Sequence, residues 1–405
     1  MSAVALPGSH FTAALAFLLL GSLALVRVAP LLAAGAYATA PVVATAHLFT
    51  LGWISTTIMG ALYQLLPVAL GREIRWRAMA WSCGTLQVLG LVTFVGGLFT
   101  GTSALTAIGG AALGLALAGF ALNLAATLIQ SAKRDLTWWA LAAAAFFLLI
   151  TVVLGVALAT NLRWGFLGAA QGIAVATHAT VALSGWVLLV VLGVSHRLLP
   201  MFLLSHGANE WFARIAAASL TAGAGTLAFG HHAVLLRQWV APALLAVGTG
   251  AFVLQTREFF SRRFRRGLDV GLRLAAAALG MLSVALGIGI ASRLTTPALA
   301  PLALQATILA IVVYVSALYY KIIPFLVWNT YFGPLVGTRD LPRVADLYLQ
   351  RSASAAAVLL FGGATVILVG VALHATSATT IGTIGFAAGA VIMTGQMFAI
   401  SRRRP

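Results

Sequence analysis

The chain has 405 residues, of which 61% are hydrophobic and 8% charged, with a mean hydropathy of +1.04. Soluble domains carry roughly 25% charged residues, so this chain cannot clothe a water-facing surface and is expected to be an integral membrane protein. Its net charge of +17 would elsewhere suggest nucleic acid, and its single cysteine, Cys83, excludes disulfide frameworks and cysteine zinc sites.

A spanning helix needs about 20 apolar residues, and a chain of this length accommodates about twelve. In chain order the apolar stretches, numbered spans I to XII, fall near 11–34, 41–70, 78–99, 103–130, 137–160, 167–203, 212–234, 237–256, 268–292, 298–329, 351–374 and 377–400. The first has no basic lead-in or cleavage pattern and reads as a retained span rather than a signal peptide. The longest polar connections, 257–267 and 331–350, are short enough to be loops. The predicted fold is therefore an all-α membrane domain covering 1–405.

The basic residues sort by side. Arg72, Arg75, Arg77, Lys133, Arg134, Arg197 and Arg214 lie in or beside even-to-odd connections. So do Arg257, Arg262, Arg263, Arg265, Arg266 and Arg273, then Lys321, Arg339, Arg343 and Arg351, and finally Arg402, Arg403 and Arg404 at the C-terminal end. Only Arg163, Arg237 and Arg293 fall on the opposite side, with Arg27 inside span I. Twenty of the 24 basic residues thus share one face, and the positive-inside rule puts both termini in the cytoplasm. The +17 then reads as orientation beside anionic lipid rather than as a nucleic-acid footprint. The membrane is read as the bacterial cytoplasmic membrane. The seven acids, Glu73, Asp135, Glu210, Glu258, Asp269, Asp340 and Asp346, all lie in the same connections. Carboxylates within the membrane mark proton relays and cation coupling, so their absence there argues against a proton pump or sodium symporter.

Spans II, VI and X end alike, in Tyr63-Gln64-Leu65-Leu66-Pro67, His196-Arg197-Leu198-Leu199-Pro200 and Tyr320-Lys321-Ile322-Ile323-Pro324. Seven positions before the prolines stand Gly60, Gly193 and Ala317, and fourteen before them Trp53, Trp186 and Ala310. This spacing predicts three quasi-repeated four-helix arcs, near 1–135, 136–266 and 267–405. Small residues would allow close helix packing. Tyr63, Gln64, Tyr320 and Lys321 read as interfacial anchors.

Of eight histidines, His10 and His206 are expected to be solvated. His374 and His196 are expected to be interfacial. His47 in span II, His178 in span VI and the pair His231-His232 after span VII all fall in the outer half at comparable depth. His178 lies roughly 16 Å in at 1.5 Å per residue. Imidazole in hydrocarbon is costly unless paired or coordinated, and it is the commonest metal ligand. Adjacent helical residues point about 100° apart, so both members of the pair reach one ion only where the helix unwinds. His178, His231 and His232 are therefore candidate ligands for copper, zinc or iron. The competing readings are a polar cluster packed with water, or a His-His pair facing the outer solvent, and for His47 a hydrogen-bonded histidine near the outer interface.

With these residues in view, the chain resembles subunit I of the haem-copper oxidases, nitric oxide reductases included. That family has twelve helices in three arcs of four, with metal ligands from helices II, VI, VII and X. The resemblance implies that His47, in Thr45-Ala46-His47-Leu48, is the haem ligand. It likewise implies that His178 with His231 and His232 binds copper or non-haem iron. Three departures are plain, the first being that the family's glutamate-bearing polar paths are absent. Span X reads Ala303-Leu304-Gln305-Ala306-Thr307 and carries no histidine, and Ala182 stands where some branches of the family have a tyrosine. The usual bis-histidine haem is not formed from this pattern.

The expected function is electron-transfer, oxygen or nitric oxide chemistry or sensing by a divergent relative, an oxidoreductase if it is an enzyme. Its partners would be the lipid bilayer and cytochrome c or other respiratory subunits. Two rival readings are a non-catalytic scaffold or assembly partner of respiratory or denitrification complexes, and a transporter of a small neutral or anionic solute.

Overall fold

The computed structural model describes residues 5–230, 233–264, 267–338 and 340–405, with side chains 68–70 excepted. Among them are fourteen α-helices and no β-strand. Twelve uninterrupted helical segments are long and apolar enough to cross a membrane. The protein is an all-α integral membrane protein.

The helices are α1 (Ala5–Ala33), α2 (Ala40–His47), α3 (Thr56–Leu70), α4 (Arg77–Thr100), α5 (Ser103–Ile129), α6 (Leu136–Trp164) and α7 (Gln171–Val181). They continue with α8 (Leu189–Leu203), α9 (Trp211–Phe229), α10 (Ala241–Ser261), α11 (Val270–Leu294), α12 (Ala300–Val327), α13 (Gln350–Ala372) and α14 (Thr376–Ser401). Helices α2 and α3 are halves of span II, joined by a π-helical stretch at Leu48–Ser55, and α7 and α8 are halves of span VI, joined by another at Ala182–Leu188. Each π-helical stretch holds one of the Gly-Trp pairs, Gly52-Trp53 and Gly185-Trp186. The third copy, at Leu309-Ala310, lies in unbroken α-helix.

Span ends follow local chemistry. Gly101 and Gly165 adopt the left-handed conformation (φ 69° and 65°) just past α4 and α6, and their N–H groups return to Gly97 O and Asn161 O. At the start of α6 the Asp135 carboxylate accepts from Trp138 N, and at the start of α11 the Asp269 carboxylate accepts from Leu272 N, both at 3.1 Å. The loop before α4 is pinned by buried Asn123, whose side chain accepts from Trp76 N (3.1 Å) and donates to Trp76 O (2.9 Å).

The chain sorts into two compact units, residues 1–54 with 267–405, and residues 55–266. In the first, α13 packs on α14, α11 on α12 and α1 on α14; in the second, α4 packs on α5, α5 on α6, and α9 on α10. Glycines set the closest approaches. A β-carbon on Gly90 would stand 2.9 Å from Leu113 N of α5, and one on Gly97 would strike the Thr106 backbone. The α13–α14 pair repeats this at Gly370, Gly382 and Gly389, where added β-carbons would meet Thr379 N, Ile367 N and Leu360 N at 2.6, 2.7 and 2.8 Å. In lipid, such backbone contact replaces the hydrophobic drive that packs helices in water. Outward the pattern inverts: Leu115, Ile129 and Val358 are about 70% exposed, as lipid-facing side chains should be.

Gly382→Leu is therefore expected to destabilise the protein by about 1–3 kcal/mol through overpacking. Gly395→Leu, with nothing within 4 Å of its added β-carbon, is expected to be neutral. Unfolding of both variants in one detergent checks this, and equal losses would reject the close-contact account.

One expectation is corrected here. Span I was read from 11, but its helix starts at Ala5, so His10 is 3% exposed rather than solvated, with Nδ1 donating to Leu6 O (2.9 Å). The apolar stretch of span VII was read to near 234 with the helix unwinding at the histidine pair; α9 ends at Phe229, with Gly230 as its cap.

Candidate metal-ligand histidines

His47 is the last residue of α2, immediately before the first π-helical stretch. It is half-buried, and its Nδ1 lies 2.8 Å from Val43 O. A carbonyl only accepts, so Nδ1 carries the proton and, in the neutral ring, the lone pair sits on Nε2. Beyond it, Trp53 is fully buried, stacks at 4.6 Å on Tyr319 of α12 and donates Nε1 to Val312 O (3.4 Å). The close approach of α1 rests on Gly21, where a β-carbon would meet the Phe49 ring at 3.3 Å.

His178 sits in α7, one turn before the second π-helical stretch. Its Nδ1 lies 3.2 Å from Thr151 O of α6, which sets the same tautomer. The ring lies against Gly155, where an added β-carbon would stand 2.9 Å from His178 Cε1. The preceding residue, Thr177, accepts from the Arg237 guanidinium, which comes from the short π-helical turn Leu236–Val240 leading into α10. Arg237 had read only as one of three basic residues on the minority face. The hydrogen bond makes it a neighbour of Thr177, and no sequence signal linked two residues 60 positions apart.

His231 and His232 lie outside the described residues. Among the described residues no three His, Cys, Asp or Glu side chains converge. In α12, Thr307 Oγ1 donates to Ala303 O (2.8 Å), and buried Gln305 Oε1 has no hydrogen-bond partner among the described residues.

The other histidines have structural places. His374 follows α13 with φ 52°, and its Nδ1 donates to Ala33 O (2.9 Å), closing one of the orphan carbonyls at the end of α1. The His196 ring rests on Phe259, with Nε2 3.4 Å from Glu210 Oε1. Hydrogen bonding from Arg214 holds the Glu210 carboxyl below its ordinary value, so this contact is made to a carboxylate. His206 is exposed.

Tyr63 and Tyr320, expected as interfacial anchors, are instead packed inside, 6% and 2% exposed. Tyr63 meets Phe120 edge-on at 5.6 Å, and Tyr320 donates its hydroxyl to Gln396 Oε1 (3.0 Å). Lys321 likewise turns inward across Gly271 and pairs with Asp269 at 2.5 Å.

Two contacts recur at matching positions. Trp186 donates Nε1 to Ser55 Oγ (3.2 Å). Ser55 stands at the same offset before Pro67 as Val312, the acceptor for Trp53, does before Pro324. Arg197 pairs with Asp135, the N-cap of α6, as Lys321 pairs with Asp269, the N-cap of α11. Arg197 and Lys321 both lie three residues before their prolines, and the first copy has neutral Gln64 there.

No protein-family model and no curated protein matches the chain.

Proposed function

We propose that the chain is a divergent member of the haem-copper oxidase subunit I superfamily. In this reading it has three four-helix arcs and cytoplasmic termini in a bacterial cytoplasmic membrane. His47 is the haem ligand, and His178 with His231 and His232 holds a copper or non-haem iron in the outer half. The observation that carries the reading is the shared setting of His47 and His178. Each lies within a turn of a π-helical stretch of the kind found at functional sites. Each also has its Nδ1 proton held by a backbone carbonyl, the arrangement that orients metal-bound imidazoles. The recurrence of the tryptophan and Asp–cation contacts at matching offsets supports the threefold repeat.

His47 would hold a haem, and His178 with His231 and His232 would hold a second metal; the residues do not fit a bis-histidine haem, since span X offers Gln305 and Thr307. A haem or metal held there would supply electron-transfer and diatomic-ligand chemistry, drawing electrons from cytochrome c or another respiratory subunit. The chain's own part is to hold two neutral imidazoles in one tautomer. Acids stay at helix ends, as Asp135, Glu210 and Asp269 do, which supports a role without proton pumping.

The test is the visible spectrum and metal content of the purified full chain. The expected result is a Soret band that His47→Ala removes, and a stoichiometric metal that His178→Ala removes. Gly155→Leu, which pushes on the His178 ring without deleting a ligand atom, is expected to lower metal content in the same way. A protein with neither haem nor stoichiometric metal would overturn the proposal.

A further inference from the structure

An apolar groove of about 250 Å³ runs between α1, α12 and α14. Its floor is Phe11, Leu15, Ile323, Leu326 and Met397, all buried, and among the described residues no acidic side chain lines it. Along α1 it extends from Ala5 to Leu15, roughly 15 Å at 1.5 Å per residue. That is about half the 30 Å hydrocarbon thickness of a bilayer, the depth of one leaflet. Gly8 opens the wall, since a β-carbon there would meet nothing within 4 Å.

One end of the groove is basic. The first turn of α1, Tyr331 beyond α12 and Ser401 closing α14 meet there. Arg404 Cζ lies 3.8 Å from the centroid of the Tyr331 ring, and Arg404 Nη1 donates to Ser401 O (2.9 Å). The guanidinium is thus tied to two residues of the lining. Arg402 and Arg403 are exposed beside it. The site offers an apolar slot one leaflet deep below a cluster of three cations.

We propose that this groove is a binding site for one anionic phospholipid, with an acyl chain in the slot and the phosphate headgroup at Arg402, Arg403 and Arg404. Charge complementarity selects this occupant. A zwitterionic lipid fills the slot equally well but leaves the cations without a net negative partner. The inference is independent of the metal reading, because it uses none of its residues.

The experiment uses the full chain in nanodiscs of equal phosphatidylglycerol and phosphatidylcholine, released into the mass spectrometer to count retained lipids. One phosphatidylglycerol is expected to survive on the unaltered chain. A basic side chain near the surface is worth about a factor of five for anionic lipid. The triple change Arg402→Gln, Arg403→Gln, Arg404→Gln is therefore expected to weaken the preference about a hundredfold at most, leaving phosphatidylcholine retention unchanged. Gly8→Phe, aimed into open space, is expected to remove the retained lipid of either kind while the protein stays folded by circular dichroism. Unaltered phosphatidylglycerol retention in either variant would overturn the proposal. So would a dimer of the unaltered chain that Gly8→Phe converts to monomer, which would give the groove to a second copy.

Discussion

Lys321→Met is expected to lower the unfolding free energy by about 3–5 kcal/mol, the range for breaking a buried ion pair by removing one partner. Lys321 and Asp269 are only 13% and 12% exposed, and their atoms lie 2.5 Å apart. The corresponding pair, Arg197 with Asp135, is 41% and 34% exposed. Arg197→Met is therefore expected to cost about 1 kcal/mol or less. The double variant Lys321→Met with Asp269→Asn is expected to recover most of the loss, since asparagine still caps α11 and the carboxylate charge is removed together with the ammonium. Unfolding of the four proteins in a common detergent checks this. Equal losses from Lys321→Met and Arg197→Met would reject burial as the deciding quantity.

Trp186→Ala is expected to cost about 3–5 kcal/mol, the range for deleting a large aromatic from a packed interior. Trp186 is 2% exposed, meets Phe120 edge-on at 5.9 Å and donates to Ser55. The small residue before it matters as much: a β-carbon on Gly185 would press on the Phe147 ring at 2.7 Å. Trp186→Phe keeps most of the apolar contact and loses the donor, for an expected cost of about 1 kcal/mol. Combined with Ser55→Ala in a double-mutant cycle, it should give a coupling of about 1 kcal/mol. Additive losses would mean that the indole and the hydroxyl do not meet.

Much of the fold was legible before any coordinates. The twelve spans follow from runs of apolar residues. The helix ends were less legible: His10 was read as solvated because the apolar run is interrupted by Gly8-Ser9-His10, yet the helix continues through it. Proline and serine near a helix start do not stop it, and His10 satisfies its own Nδ1 on the backbone. Tyr320 and Lys321 misled in another way. Their chemistry suits an interface, but a glycine at 271 and an aspartate at 269 open a place for them inside.

The candidate site divides in the same manner. The sequence singled out His47 and His178 by depth and by cost of burial, and their tautomers came only with the carbonyls of Val43 and Thr151. Arg237 was visible as a charge but not as a neighbour of Thr177.

By itself, then, the sequence determined that this is a membrane protein, with twelve apolar spans that recur as twelve long helical segments among the described residues, and the reason is local. In hydrocarbon every backbone group must be satisfied within its own segment, so composition and length suffice to define the spans. The tertiary structure decided which side chains meet. Asp135 finds Arg197 across 62 positions and Asp269 finds Lys321 across 52. Such partners are selected by where glycines let two helices approach, and that distance is a property of the packed pair rather than of either strip of sequence.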